Sequence, residues 1–273
     1  MEKDLVVVKS NDIINASYRL SVSEQRLLLA CISQIDSTKS LSDQDTFVIT
    51  ASEILDLMGA DNKSRAIYRD LKDATDRLWD RTISFSDNDK HYGKLRWVNR
   101  IDYYEKEGKV ILRFSQDIIE YLSELKGSFT KYKFQYIANF KSAYSIRLYE
   151  LLVQWMSKGE REITVSEVRG LLDLGEKYQS IAELKRRVLD VAVKDVNKYS
   201  NIRCSYGQRK LGRTVVAFQF KFKLKDTGDA SGKNKKMHHD TPRIEQLMQG
   251  STTQARVGES MAQYLQRMKR EKK

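Results

Sequence analysis

The sequence predicts an α+β fold made of two tandem copies of one unit. Three observations predict it: a repeat at an offset of 114 positions, the same order of strand and helix patterns around each copy, and a net charge of +12 over 273 residues.

The repeat is Ile49-Thr50-Ala51-Ser52-Glu53, which returns as Ile163-Thr164-Val165-Ser166-Glu167. In both copies Glu follows Thr by three positions, the capping-box spacing that satisfies open amides at a helix start. A short β-prone run precedes each Thr, at residues 46–49 and 162–163. A short amphipathic helix follows, carrying Ile54, Leu55, Leu57 and Met58 in the first copy and Val168, Leu171, Leu172 and Leu174 in the second. Gly59 and Gly175 stop these helices, at positions that suit a left-handed C-cap. After a polar turn comes a longer helix. In the first copy it spans 64–80, with Ile67, Leu71, Ala74, Thr75 and Leu78 inward. In the second it spans 181–199, with Leu184, Val188, Val191, Ala192 and Val196 inward. Strands then follow: 82–86, 95–104 and 110–114 after a turn at Glu107-Gly108, and in the second copy 202–206 and Thr214–Leu224, joined across Lys210-Leu211-Gly212-Arg213. Alternation of Val216, Phe218, Phe220 and Phe222 marks the last strand as half-buried.

Strand, short helix, turn, longer helix and β-hairpin is the order of a winged helix-turn-helix. Two copies in tandem predict two such domains related by the repeat. Upstream, residues 21–35 predict a helix with its own Ser21/Glu24 capping box and Leu27, Leu28, Cys31 and Ile35 inward. Residues 116–125 and 142–156 also predict helices. The latter buries Ile146, Tyr149, Leu152, Val153 and Met156 as the first helix of the second domain. The expected division is 1–125, 126–225 and a basic linker and tail at 226–273. The lone proline, Pro242, falls in the polar stretch 226–243, whose composition cannot bury enough apolar surface to offset its ordering entropy. Residues 259–272 have helix-forming composition, with Met261, Tyr264, Leu265 and Met268 on one side, and read as either a marginal helix or a disordered basic arm.

A hydrophobic fraction of 40% can fill real cores, and the basic excess points to a polyanionic partner, nucleic acid first. No apolar run approaches the ~18 residues of a membrane span, and the patch at 5–8 is too short for a signal peptide. The expectation is a cytoplasmic protein with no membrane partner. Cys31 and Cys204 each fall on the apolar side of a segment and read as two separate reduced thiols.

In a helix-turn-helix the second helix enters the major groove with its N-terminal residues at the base edges. Those residues are Lys63, Ser64, Arg65, Tyr68, Arg69 and Lys72 in the first domain, and Lys177, Tyr178, Ser180, Lys185, Arg186 and Arg187 in the second. Guanidinium forks bind guanine in a bidentate manner, so Arg65, Arg69, Arg186 and Arg187 are the candidates for reading sequence. Lys94 and Arg96, and Arg209, Lys210 and Arg213, are expected at hairpin tips as phosphate contacts.

Catalytic constellations do not emerge, and neither an enzyme nor a cofactor is expected. Histidine occurs at 91, 238 and 239, without the His-x-His pair of a nickase. There is no Cys-x-x-Cys and no His-Glu-x-x-His for a metal. Asp87-Asn88-Asp89 lacks the rest of a calcium loop, and Asp70, Asp73, Asp76 and Asp80 read as a solvated ion-pair face beside Arg69, Lys72, Arg77 and Arg81. The stretch from Gly170 to Lys177 imitates a phosphate-binding loop, but its Lys is displaced by one and no Ser or Thr follows.

Several further stretches carry a resemblance. They are Val7-Val8-Lys9-Ser10-Asn11-Asp12-Ile13-Ile14, Tyr18-Arg19-Leu20-Ser21, Glu24-Gln25-Arg26-Leu27, Tyr144-Ser145-Ile146-Arg147-Leu148-Tyr149-Glu150-Leu151-Leu152 and Leu184-Lys185-Arg186-Arg187-Val188-Leu189. In this order the chain resembles, over roughly 5–225, the replication initiator (Rep) proteins of iteron-containing, theta-replicating bacterial plasmids. The resemblance implies two winged-helix domains on one directly repeated origin site. It implies monomers that start replication and dimers that repress the gene at an operator inverted repeat. The implied partners are the host initiator and the replicative helicase, loaded once the origin opens. Lys185, Arg186 and Arg187 carry over as the basic run of the second recognition helix. Dimerisation is implied for the first domain, where the strands between 82 and 114 offer candidate edges. A repressor without a replication role shares this fold; a nickase lacks its metal ligands here; and RNA offers a major groove too narrow for a recognition helix.

Overall fold

The computed structural model describes residues 5–53, 65–87 and 91–225. The expected short helix at 54–58, the linker and the tail lie outside the described residues.

Serines open the first two helices. Ser10 closes β1 (Val6–Ser10) and accepts from the Ile13 amide to start α1 (Asn11–Asn15). Ser21 and Glu24 form the expected capping box at α2 (Val22–Ile32), which ends three residues short of the predicted 35. Leu27, Leu28 and Cys31 are buried, as the periodicity required. β2 (Phe47–Thr50) leads into the first repeat, where the Thr50 amide donates to Glu53 at 2.9 Å and the Glu53 amide to Thr50 Oγ1 at 3.1 Å. α3 (Arg65–Trp79) buries Leu71, Ala74, Thr75 and Leu78.

The predicted strand 95–104 is two strands. β3 (Thr82–Asp87) pairs with β4 (His91–Arg96), and β5 (Val98–Tyr104) pairs with β6 (Lys109–Phe114) instead. The break falls at Trp97, whose fully buried ring meets Tyr18 edge-on at 5.1 Å. An indole this large, drawn under the sheet, takes its residue out of either ladder. β2 joins β6, giving a three-stranded sheet in the order β2-β6-β5. The predicted helix 116–125 is reduced to α4 (Gln116–Ile119). Beyond it Glu124 turns left-handed at φ 50°, and the Glu124 and Leu125 amides donate to Lys39 and Ser37 carbonyls rather than along a helix.

β7 (Phe129–Lys133) returns to pair with β1, Val7 opposite Tyr132. α5 (Ala143–Val153) ends three residues earlier than predicted and buries Ile146, Tyr149 and Leu152. Its start is held from another helix: the Asp195 carboxylate accepts from the Lys141 and Ser142 amides and from Ser145 Oγ, at 2.7, 3.2 and 2.8 Å. Gly159, at φ 69°, makes the turn that follows; a Cβ there would stand 3.2 Å from the Phe222 carbonyl, so any larger residue is both strained and crowded.

The second unit repeats the first. β8 (Glu160–Thr164) runs into α6 (Val165–Leu171) through the predicted Thr164/Glu167 capping box. α6 ends at Leu171 rather than at Gly175. Gly175, at φ 51°, lies in the turn beyond, after a left-handed Asp173. The long helix comes in three segments, α7 (Ile181–Leu184), a π-helical stretch (Lys185–Leu189) and α8 (Asp190–Tyr199). The π turn adds one residue to the stripe. Leu189 is therefore buried at 1% exposure and Val191, expected inward, stands 38% exposed. β9 (Ile202–Leu211) and β10 (Thr214–Leu224) complete a sheet in the order β8-β10-β9. Val216 sits at a bulge between Val215 and Ala217, which takes it out of the alternation and leaves Phe218, Phe220 and Phe222 as the inward row.

Matching the sheets corrects the first wing. β2-β6-β5 is the counterpart of β8-β10-β9, so the first wing is β5–β6, and β3–β4 is an extra ribbon between recognition helix and wing. Both cysteines are free and buried, and burial pushes the Cys204 thiol up to about 12. Among the described residues no helix is long and apolar enough to cross a membrane.

Candidate nucleic-acid interface

The two recognition helices differ in how much of their expected face can be placed. In the first domain Lys63 and Ser64 lie outside the described residues, as does the side chain of Arg65, which opens α3. Tyr68 is half-buried against the core, and its hydroxyl is enclosed without a hydrogen-bond partner among the described residues. Arg69 and Lys72 are exposed one turn apart, Lys72 above the Tyr103 ring at 5.7 Å.

Lys94 and Arg96 do not sit at a hairpin tip. They pair with Ser84 and Thr82, toward the open end of the β3–β4 ribbon. Arg96 Nη1 donates to the Trp79 carbonyl at 2.5 Å and lies 3.7 Å from Asp80, so it closes the C-terminus of α3. The true first wing turns through Glu105-Lys106-Glu107-Gly108, and Glu107 pairs with Lys109. An acidic tip is a poor phosphate contact.

In the second domain the parts converge. Ser180 caps α7 by accepting from the Glu183 amide at 3.2 Å. The turn before it is stapled by Arg169, whose guanidinium donates to the carbonyls of Gly175, Lys177 and Tyr178 at 2.8, 2.8 and 3.0 Å. Tyr178 is left-handed at φ 55° and packs edge-on against Tyr144, which holds its ring inside the turn. Lys177 is exposed beside it. Lys185, Arg186 and Arg187 all fall in the π-helical stretch, whose distinctive bond runs from the Asp190 amide to the Lys185 carbonyl. Arg186 and Arg187 are exposed and, among the described residues, make no side-chain hydrogen bond or ion pair.

The second wing stands beside this stretch. Arg209 is paired with Glu162 at 2.9 Å, while Lys210 and Arg213 at the wing tip have no ion-pair partner among the described residues. Lys185, Asp190, Tyr206, Gly207, Gln208 and Lys210 line an open recess of about 500 Å³ between helix and wing. Asp190 accepts from the Tyr206 hydroxyl at 2.6 Å, and burial followed by this bond pushes the phenol above its ordinary range. The recess thus presents two lysines and an amide, its one carboxylate already engaged.

Sequence reasoning missed the joint that carries these elements. Glu150 lies 2.5 Å from Lys9 and 3.3 Å from Arg147, and all three are buried. Tyr132 donates to Glu150 at 2.5 Å, and Arg147 stacks on Tyr18 at 3.7 Å. Arg147 Nη2 reaches the carbonyls of Ile14, Ala16 and Leu171, at 3.0, 2.9 and 3.2 Å, tying α1 and α6 to α5. Burial alone would raise the Glu150 carboxyl; Lys9 and Arg147 hold it below its ordinary value. Stretches 7–14, 18–21 and 144–152 meet here, so their pattern records a buried joint. Their charged residues, at i and i+3 on one helix, were the available signal.

Fold and surface together define a winged-helix DNA-binding protein with two such domains. Residues 6–153 match the family described as "Initiator Replication protein, WH1", and residues 164–222 match "Initiator Rep protein, WH2"; the chain belongs to this family of plasmid replication initiators. It is 28% identical over 224 residues to a replication initiation protein of Escherichia coli, covering 79% of this chain and 69% of that one. The PI protein of Escherichia coli is 24% identical over 258 residues, covering 81% and 83%. The crystal structure of Pi initiator protein in complex with iteron DNA has the same fold, with a TM-score of 0.71 at 23% identity over 83% of this chain and 100% of that one.

Proposed function

We propose that the chain binds directly repeated origin sequences, iterons, in double-stranded DNA and so starts plasmid replication in the bacterial cytoplasm. The observation that carries this is the pairing, in the second domain, of exposed uncompensated Arg186 and Arg187 on the recognition helix with Lys210 and Arg213 on the adjoining wing. Arg186 and Arg187 read bases, with Lys185, Lys177, Lys210 and Arg213 on phosphates. Arg69 and Lys72 of α3 make the first domain's contact, at a second face of the same site, while residues 226–273 follow as a basic tail.

On this reading the bound initiator opens the origin and recruits the host initiator and helicase, and a homodimer represses the gene at an inverted repeat. Reading and positioning are the whole task, and no residue is assigned to bond-breaking. A plasmid establishment assay tests it: the wild-type gene supplied in trans supports an origin plasmid lacking its own copy. A chain that binds the origin repeats yet never establishes that plasmid is a repressor, and the initiator reading fails.

A further inference from the structure

Leu211 is the most exposed large apolar residue among those described, at 74%. It sits at the outermost position of β9, opposite Thr214, on a two-residue turn of Gly212 and Arg213. Gly212, at φ 60°, supplies the left-handed first position of that turn. A leucine so placed gains nothing from the fold: its neighbours Lys210 and Arg213 are cations, and the core row ends at Phe218 and Tyr206. The counterpart tip in the first wing carries Glu105 and Glu107 instead.

We propose that Leu211 is an apolar wedge that enters the minor groove beside the recognition helix's major-groove site and opens a base step there. The inference rests on the DNA-binding reading above and adds a residue that deforms the site. Three features support it. Even-numbered residues of β9, Tyr206, Gln208 and Lys210, face the helix and line the recess, which has room and charge for the phosphate strand separating the two grooves. With that strand seated, the wing tip lies over the next groove. Lys210 and Arg213 flank the leucine and hold it against the anionic groove walls. Inserted leucines are a recurring means of unstacking a step and bending DNA.

The test uses the full chain and a short duplex that the wild-type protein selects from a random library. Bending is read from fragments with the selected site at permuted positions, and step opening from permanganate reactivity of thymines. Leu211→Ser is expected to lose the bend and the reactive step and to bind about tenfold more weakly, with its salt slope unchanged. Leu211→Met keeps both, whereas Lys210→Ala weakens binding and lowers the salt slope by about one. Equal melting temperatures for wild type and Leu211→Ser exclude a folding defect. If the wild-type chain selects a sequence and Leu211→Ser binds and bends it equally, the wedge is wrong and the DNA-binding reading stands. If the wild-type chain selects no sequence, both fall.

Discussion

Glu150 shows how much of this molecule depends on single buried charges. It neutralises Lys9 and Arg147 in a place water does not reach, and Arg147 in turn satisfies three carbonyls from two other elements. Removing one partner from a buried ion pair leaves an uncompensated charge, at a cost of about 3–5 kcal/mol. Glu150→Ala is therefore expected to lose roughly that much stability in urea denaturation, and a loss under about 1 kcal/mol would mean the joint is not closed as described. Burial would raise Glu150, but Lys9 and Arg147 depress it; Glu24, also buried, is depressed by Arg81 and the Ser21 amide against the same penalty. A depressed carboxyl contributes stability that is fully present above its unfolded value, near 4.5, and is lost as pH falls through the folded value. Melting temperature is expected to fall below that pH, and less steeply in Glu150→Gln. A wild-type melting temperature that stays level on acidification would contradict both assignments.

Elements were legible in the sequence wherever a local rule set them. Capping boxes at Ser21, Thr50 and Thr164 and the apolar stripes of α2 and α3 follow from residues three and four apart. What was not legible depended on distant partners. The strand break at Trp97 needs Tyr18 to pack against, and the chain past α4 spends its Glu124 and Leu125 amides on the Lys39 and Ser37 carbonyls. The π turn at Lys185–Leu189 is likewise invisible to a regular period, and it exchanges Leu189 for Val191 on the buried side. Leu189→Ala is expected to cost about 2–5 kcal/mol and Val191→Lys less than about 0.5 kcal/mol. The opposite ranking in denaturant melts would restore an unbroken α-helix. At the sheet edge, β5 has β6 as its single neighbour among the strands described, with Tyr103 and Tyr104 exposed at 37% and 41%. Lysines in edge strands oppose edge-to-edge pairing. If β5 forms the proposed dimer, Tyr104→Lys shifts sedimentation toward the monomer; an unchanged dimer fraction removes β5 from the interface.

Across the whole molecule the two units share a frame and differ in charge. The repeat at 49–53 and 163–167 announced the shared frame, and matched sheets bear it out. The difference was hidden, because assigning the first wing required knowing that β3–β4 is an added ribbon. With that ribbon set aside, the tip of the first wing carries Glu105 and Glu107 and that of the second Lys210 and Arg213, so on the proposed reading the second domain is expected to make most phosphate contacts. Of the candidate site, the Lys185-Arg186-Arg187 run was legible from sequence. Arg169, Leu211 and the recess were not, since each gains its meaning from a neighbour across a turn or a sheet. If ~6–10 phosphates are neutralised, affinity drops ~10³–10⁵ between about 50 and 200 mM salt. A slope near zero in that titration would contradict an electrostatic interface.

The most direct measurement is a mobility-shift titration on the DNA flanking this gene, with Arg186→Ala beside the wild-type chain. The wild-type chain is expected to bind short direct repeats in preference to unrelated duplex, with binding weakened in Arg186→Ala by about 1–3 kcal/mol and the preference relaxed at one base position. Equal binding of both chains to every duplex would contradict it, leaving a basic DNA-binding protein with no origin to read.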